Sequence, residues 1–345
     1  FDDFPEGETM YHLFEESLKK YPNIDMFGKR VYQDGKWQDR FEFITRAQFR
    51  QLRDSVGAYF NQHECEEGEK IGILSYNKIE WVATQHACFA YGCIPVPIYD
   101  TYGLENIAYI INHSSIRIVF VVSSKLRELL ELRIERVRHI VVFDNEEQPY
   151  KESDFAELLE GLNCTITKWD DVMKITDRYP HKPPTYDTPA AIMYTSGTTG
   201  PPKGCIVTHG NFIGTASTYI HVYPFCEKDC LLSFLPLAHV YEEVLHFVAV
   251  HSRTPIAFYS GSIPRLIDEI KILKPSLFIS VARVFERIYE GMQKNIAKKP
   301  FLTRMAFKSA FAIKSFLLDH FRLQKVPILD SVLNAINKQA VGGDM

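Results

Sequence analysis

The chain has 345 residues, of which 46% are hydrophobic, 24% charged and 13% aromatic. That is enough apolar material for a packed core in about two domains or subdomains, and it excludes intrinsic disorder. A formal charge of −4 gives no overall case for a nucleic-acid protein, although a basic stretch lies towards the C-terminus, so no nucleic acid is expected as a partner.

The longest apolar run, Ile116 to Val122, is interrupted by Arg117 and falls far short of the ~20 residues of a membrane span. The first residues, Phe1-Asp2-Asp3-Phe4, carry no signal-peptide pattern. The chain starts without Met, which leaves upstream residues and any targeting segment open. Seven cysteines, an odd number scattered along the chain, fit reduced thiols in an intracellular protein better than a disulfide framework. Cys226 and Cys230 lie near His221, but no second pair at zinc-site spacing follows, so buried or incidental thiols are the favoured reading over a metal site.

Residues 8–22 carry Met10, Leu13, Phe14, Leu18 and Tyr21 near helical spacing, with Thr9 as a cap. A second helix is predicted from Thr45 to Gln62. After the acidic turn 64–69, read as a solvated loop, Ile71 to Leu74 forms a short buried strand. The pattern repeats with a helix over 78–91, a strand over 94–98, a helix over 104–112, a strand over 117–122, a charged helix over 124–136 and a strand over 139–143. Short apolar strands alternating with helices predict an α/β fold with a largely parallel sheet covered on both faces. The Pro-rich, polar stretch 176–189 breaks the periodicity and marks the expected boundary between a first subdomain, 1–180, and a second, 187–345.

Beyond that boundary, the strand Ala190 to Tyr194 runs into Thr195, Ser196, Gly197, Thr198, Thr199, Gly200, Pro201, Pro202, Lys203 and Gly204. Glycines let a backbone curl closely round a ligand, hydroxyls and exposed N–H groups donate to phosphate oxygens, and a lysine adds a point charge. A polyphosphate is the natural guest. The loop is not a Walker A loop, because Cys205 to Thr208 reads as a second strand where that motif opens a helix.

Tyr194 to Gly204 resembles the signature loop of the adenylate-forming superfamily, which includes acyl-CoA synthetases, luciferases and peptide-synthetase adenylation domains. Val96 to Gly103, Tyr109 to His113, Ile71 to Trp81, Phe234 to Glu242 and Lys274 to Tyr289 look like the matching stretches of the long-chain fatty acyl-CoA synthetase branch. The resemblance implies stacked α/β subdomains with largely parallel sheets, and a whole enzyme that joins a long-chain fatty acid to AMP from Mg-ATP and passes the acyl group to coenzyme A. It implies that Thr195, Ser196, Gly197, Thr198, Thr199, Gly200 and Lys203 hold ATP, that Lys203 and His239 act in catalysis, and that Thr195 reaches Mg²⁺.

Glu243 stands where the branch often has Arg, and Ala282 replaces a common Pro. The family's adenine and ribose contacts, its hinge and its small C-terminal domain are expected beyond Met345, so no residue here takes those roles. A ligase for another acyl or aryl acid, or a non-catalytic chain, is the alternative. Glu242, beginning a predicted helix, is a weaker site candidate than a cap or solvated residue. Residues 296–325 hold seven basic residues against Asp319 alone, with Phe307, Phe311 and Leu318 interleaved. That pattern suits an anionic membrane surface, and equally a core helix with a solvated basic face. The expected location is intracellular, in the cytoplasm or on the cytosolic face of an organelle membrane such as the endoplasmic reticulum or peroxisome.

Overall fold

A computed structural model describes residues 9–195, 200–222 and 225–321, with side chains to 317. By its internal contacts the chain divides after Phe278.

The first helix, α1 (Met10–Lys20), starts where the sequence places its cap: the Thr9 hydroxyl accepts from the His12 N–H. It leads into a hairpin, β1 (Asp25–Gln33) and β2 (Lys36–Thr45), which turns at Asp34 (φ 53°) and Gly35 (φ 75°). Two successive left-handed residues make the turn whose twist matches paired strands, and an Asp-Gly pair supplies them at least cost. Helix α2 (Arg46–Gln62) opens on a capping box between Thr45 and Gln48. Its first residue, the buried Arg46, donates to the Ser17 hydroxyl at 2.7 Å and to the Val250 carbonyl at 3.3 Å, tying three distant segments together.

Next come β3 (Lys70–Leu74), α3 (Ile79–Tyr91), β4 (Ile94–Ile98), α4 (Leu104–His113), β5 (Ile118–Val122), α5 (Ser123–Glu131), β6 (His139–Phe143), α6 (Ala156–Leu159), β7 (Thr165–Lys168) and α7 (Trp169–Met173). The strands form one parallel sheet in the order β4-β3-β5-β6-β7. All five residues of β5 are buried, because helices cover both faces, which is why this strand reads as an unbroken apolar run. Pro95 and Pro97 lack N–H donors, and β4 accordingly lies at the sheet edge.

The chain continues through β8 (Pro189–Thr195), β9 (Lys203–Thr208), α8 (His209–Val222), β10 (Leu231–Ser233), α9 (Val240–His251), β11 (Ile256–Phe258) and α10 (Leu266–Leu273). Strands β8 and β9 pair antiparallel. Strand β11 inserts parallel between β10 and β1, giving a sheet of order β10-β11-β1-β2 that combines residues 25–45 with residues 231–258.

Strand β8 lies against β4 and serves two cores. Ala191 and Met193 pack with Phe89, Phe212, Val244 and Phe247, while Ile192 and Tyr194 face the core of the five-stranded sheet with Val96, Ile107 and Ile110. The alternation follows from the two-residue period of a strand.

Beyond Phe278, α11 (Ala282–Ala297) and α12 (Phe301–Phe321) are joined by a short turn. Ile296 and Phe307 bury against each other.

Candidate functional site

The β8–β9 hairpin ends in a facing pair, Thr195 opposite Lys203, with Tyr194 opposite Gly204 behind it. Thr195 and Lys203 are both exposed. Cross-strand neighbours sit close enough for their side chains to reach one ligand, so the hydroxyl and the ammonium stand together at the mouth of the loop. Gly200, also exposed, has φ 99°, a conformation that L side chains seldom adopt, which explains a glycine there. Ser196, Gly197, Thr198 and Thr199, the rest of the candidate phosphate cradle, lie outside the described residues.

The stem of this hairpin is fixed from behind. The Tyr194 hydroxyl hydrogen-bonds to His113 Nδ1 at 2.6 Å and to Ser114 Oγ at 2.7 Å. The Tyr102 hydroxyl donates to the Tyr194 carbonyl at 3.3 Å. His113 is oriented by stacking on Tyr109, with centroids 5.2 Å apart. Burial pushes the Tyr194 phenol up, so it keeps its proton and its role as a donor. The segments that resemble fatty acyl-CoA synthetases at 96–103 and 109–113 thus converge on the residue preceding Thr195. Their role in bracing the loop has no local signal, since the partners are 80 and 81 residues apart.

The second candidate, His239, is the N-cap of α9. Its Nδ1 accepts from the Tyr241 N–H at 3.1 Å, and the residue is exposed. The turn that delivers it, 234–239, is clamped by Asn77, whose amide donates to the Leu235 carbonyl at 2.7 Å and to Ser233 Oγ at 2.9 Å, while its Oδ1 accepts from the Leu237 N–H at 3.0 Å. Ser233 Oγ donates to Glu242 Oε1 at 2.6 Å and contacts His246 Nε2 at 2.9 Å. Glu242 is therefore neither a solvated residue nor a cap; it is a buried acceptor.

Beside it, the fully buried Glu243 takes both its contacts from the Gln85 amide, at 2.8 and 2.6 Å. Burial, reinforced by Glu242, pushes the Glu243 carboxyl up to about 8. A neutral carboxyl avoids most of the desolvation cost that a charged one would carry there.

Among the described residues, no hydrogen bond or ion pair joins His239 to Thr195, Gly200 or Lys203. What relates them is the shared core: α9 and β8 both pack on Phe212 of α8 and Phe89 of α3. Among the described residues there is also no group of three or more His, Cys, Asp or Glu suited to a metal ion. All seven cysteines are free, Cys226 and Cys230 included.

Residues 14–326 match the family model described as AMP-binding enzyme. The chain is 34% identical to fatty acyl-CoA synthetase B of Dictyostelium discoideum, over 99% of this chain and 51% of that protein. It is 33% identical to human long-chain-fatty-acid–CoA ligase 1, over 87% of this chain and 44% of that protein. Its fold is that of the adenylation domain of the carboxylic acid reductase of Segniliparus rugosus, with a TM-score of 0.76, 17% identity, and coverage of 99% of this chain and 56% of that one. The chain spans about half the length of the curated relatives it matches. The family match covers all but the ends of the chain and includes the braced hairpin and the clamped turn, so this chain belongs to the AMP-binding enzyme family.

Proposed function

We propose that the protein to which this chain belongs is a long-chain fatty acid–CoA ligase, and that the β8–β9 hairpin is its polyphosphate loop. The observation that carries the reading is the facing pair Thr195 and Lys203 at the end of a hairpin braced through Tyr194, in a chain similar along nearly its whole length to a fatty acyl-CoA synthetase.

A carboxylate is a poor acyl donor. In the proposed first half-reaction a carboxylate oxygen attacks the α-phosphorus of ATP, the bond to the bridging oxygen breaks, and pyrophosphate leaves. In the second, the sulfur of coenzyme A attacks the acyl carbonyl and AMP leaves. The role of the chain's own residues is positional and electrostatic. Thr195, Ser196, Gly197, Thr198, Thr199 and Gly200 would hold the β- and γ-phosphates, and Lys203 would offset charge on the departing pyrophosphate. His239 would stand by the carboxylate through Nε2, since its Nδ1 is engaged by the backbone.

Magnesium fits as a companion of the nucleotide. The described residues offer no carboxylate cage, and Mg²⁺ commonly binds through substrate phosphates with few protein ligands, here the Thr195 hydroxyl. When bound, it would neutralise phosphate charge.

We further propose peripheral contact with an anionic membrane through α12, where exposed Phe301, Leu302, Met305 and Phe311 lie among Arg304, Lys308 and Lys314. Phe307 does not take part, because it is buried against Ile296. Leu318, Arg322 and Lys325 lie outside the described side chains. No described helix is long and apolar enough to cross a membrane. A similar Arabidopsis thaliana protein, long chain acyl-CoA synthetase 7, is peroxisomal, which supports an organelle location for this one.

The test of the activity is acid-dependent ATP–pyrophosphate exchange by the protein at its natural length, across fatty acids of rising length and aryl acids. Exchange is expected with long-chain acids and at least ~10-fold less with short-chain or aryl acids, since each buried methylene contributes about 0.8 kcal/mol. A preference for an aryl acid would overturn the substrate assignment while leaving the polyphosphate loop standing.

A further inference from the structure

The turn after α2 and the start of β4 hold two thiols against each other. Cys65, half-buried in the turn, is within hydrogen-bonding contact of the sulfur of Cys93, which is 4% exposed. The surrounding backbone is tied on both sides. The Cys65 N–H donates to the Phe60 carbonyl at 3.0 Å, the Gly68 N–H to the Gly92 carbonyl at 2.7 Å, and the Ile94 N–H to the Glu69 carbonyl at 2.8 Å. Arg117 adds a fork to both oxygens of Glu69, at 2.8 and 3.0 Å, and a third bond to the His63 carbonyl at 3.2 Å. The two sulfurs are therefore presented to each other by a turn that is already fixed. Cys93 also lines a cavity of about 680 Å³ with Glu67, Gly68, Lys182 and Thr185, wide enough for a small solute to approach. Nothing in the proposed ligase chemistry uses either thiol.

We infer that Cys65 and Cys93 are a redox modification site, closing into a reversible disulfide when a peroxide is present. The Cys65 thiolate attacks one oxygen of hydrogen peroxide and the O–O bond breaks. Hydroxide leaves, takes a proton, and Cys65 becomes a sulfenic acid. The Cys93 sulfur then attacks the Cys65 sulfur, the S–S bond forms, the S–O bond breaks, and hydroxide leaves with the Cys93 proton as water. Two thiols and one peroxide give one disulfide and two waters; the sulfurs lose two electrons and the peroxide oxygens gain them.

The hydrogen bond with Cys93 and burial both hold the Cys65 thiol well above its usual range, so little thiolate exists at neutral pH. Reaction is accordingly slow and quickens as pH rises. The bond closes a loop that contains β3 and α3. It clips the start of β4, the strand that backs β8, and loop closure of this kind restricts the unfolded chain more than the folded one.

The test treats the folded chain with hydrogen peroxide, removes the oxidant, blocks remaining thiols, and digests without reductant. The expected product is the Cys65 and Cys93 peptides joined within one chain, lighter by two hydrogens, formed faster at alkaline than at neutral pH, and separated by dithiothreitol. The melting temperature should rise by roughly a few degrees on oxidation and return on reduction. Cys65→Ser, at a half-exposed position, should lose both the joined peptide and the rise, while the exposed Cys205 and Cys226 are oxidised as in the parent. Recovery of Cys65 and Cys93 as separate blocked thiols after Cys205 is fully oxidised would overturn the inference. So would Cys65 joined to the neighbouring Cys88 or to a second chain.

Discussion

Glu243 shows how burial alone sets a residue's chemistry. In the unfolded chain its carboxyl titrates near the ordinary 4.5; in the folded protein burial raises this to about 8. The stability sign follows directly. Below the ordinary value both states are protonated and Glu243 contributes no difference. As pH rises towards 8, the unfolded state releases a proton that the folded state keeps, so stability falls, by at most about 1.4 kcal/mol per pH unit.

His86 and His209, each held by burial at about 3, act in the opposite sense and only below their ordinary value of 6.5, so the window between 6.5 and 8 belongs mainly to Glu243. Glu243→Gln removes the titration and keeps a neutral group, provided the Gln85 amide turns to offer its oxygen. The urea midpoint of the variant should match the parent at pH 6, exceed it at pH 8.5, and be flatter between. Parallel profiles would show that Glu243 is not the titrating group.

At the scale of elements, the phosphate hairpin is legible because its chemistry is local. Three glycines, four hydroxyls and a lysine lie between two apolar strands, and the register places Thr195 opposite Lys203 as a short loop requires. Its bracing is not legible, since Tyr102, His113 and Ser114 reach Tyr194 through tertiary packing. The β1–β2 hairpin carries a readable signal in Asp34-Gly35, but it is absent from a reading built on apolar runs, because β2 is mostly exposed or half-buried. The charged helix expected over 124–136 ends at Glu131, and Arg133, at φ 46°, lies outside helical geometry.

Helix α12 is the element whose role is most directly separable from the fold. Arg304→Gln, Lys308→Gln and Lys314→Gln together should weaken sedimentation with anionic vesicles several-fold, with each charge near the surface worth about 1 kcal/mol. Binding by the parent should also fall as salt shortens the screening length below about 10 Å. Vesicle binding that is unchanged in the triple variant would remove the membrane assignment without touching the hairpin.

At the scale of the whole molecule, the alternation of strands and helices is enough to predict an α/β fold with a largely parallel sheet, and the five-stranded sheet has that form. The four-stranded sheet is not readable in this way. Strands β10 and β11 are three residues each, too short for periodicity, and they join β1 only because the chain returns across the molecule. That return carries the 234–239 turn back beside Asn77 and sets α9 and β8 on a common core, so the two candidate regions are related by topology, not by any contact between them.

The central claim is that the hairpin acts on polyphosphate and not on the acyl group, and Lys203→Ala in the protein at its natural length tests it most directly, because Lys203 is exposed and its removal leaves no cavity. Adenylation, followed by pyrophosphate exchange, should fall by about 100-fold, the scale expected for losing one preorganised charge on a leaving group. Transfer to coenzyme A from preformed acyl-adenylate should stay within about 3-fold of the parent, because no polyphosphate is present in that step. Equal loss in both half-reactions, or none in the first, would contradict the account.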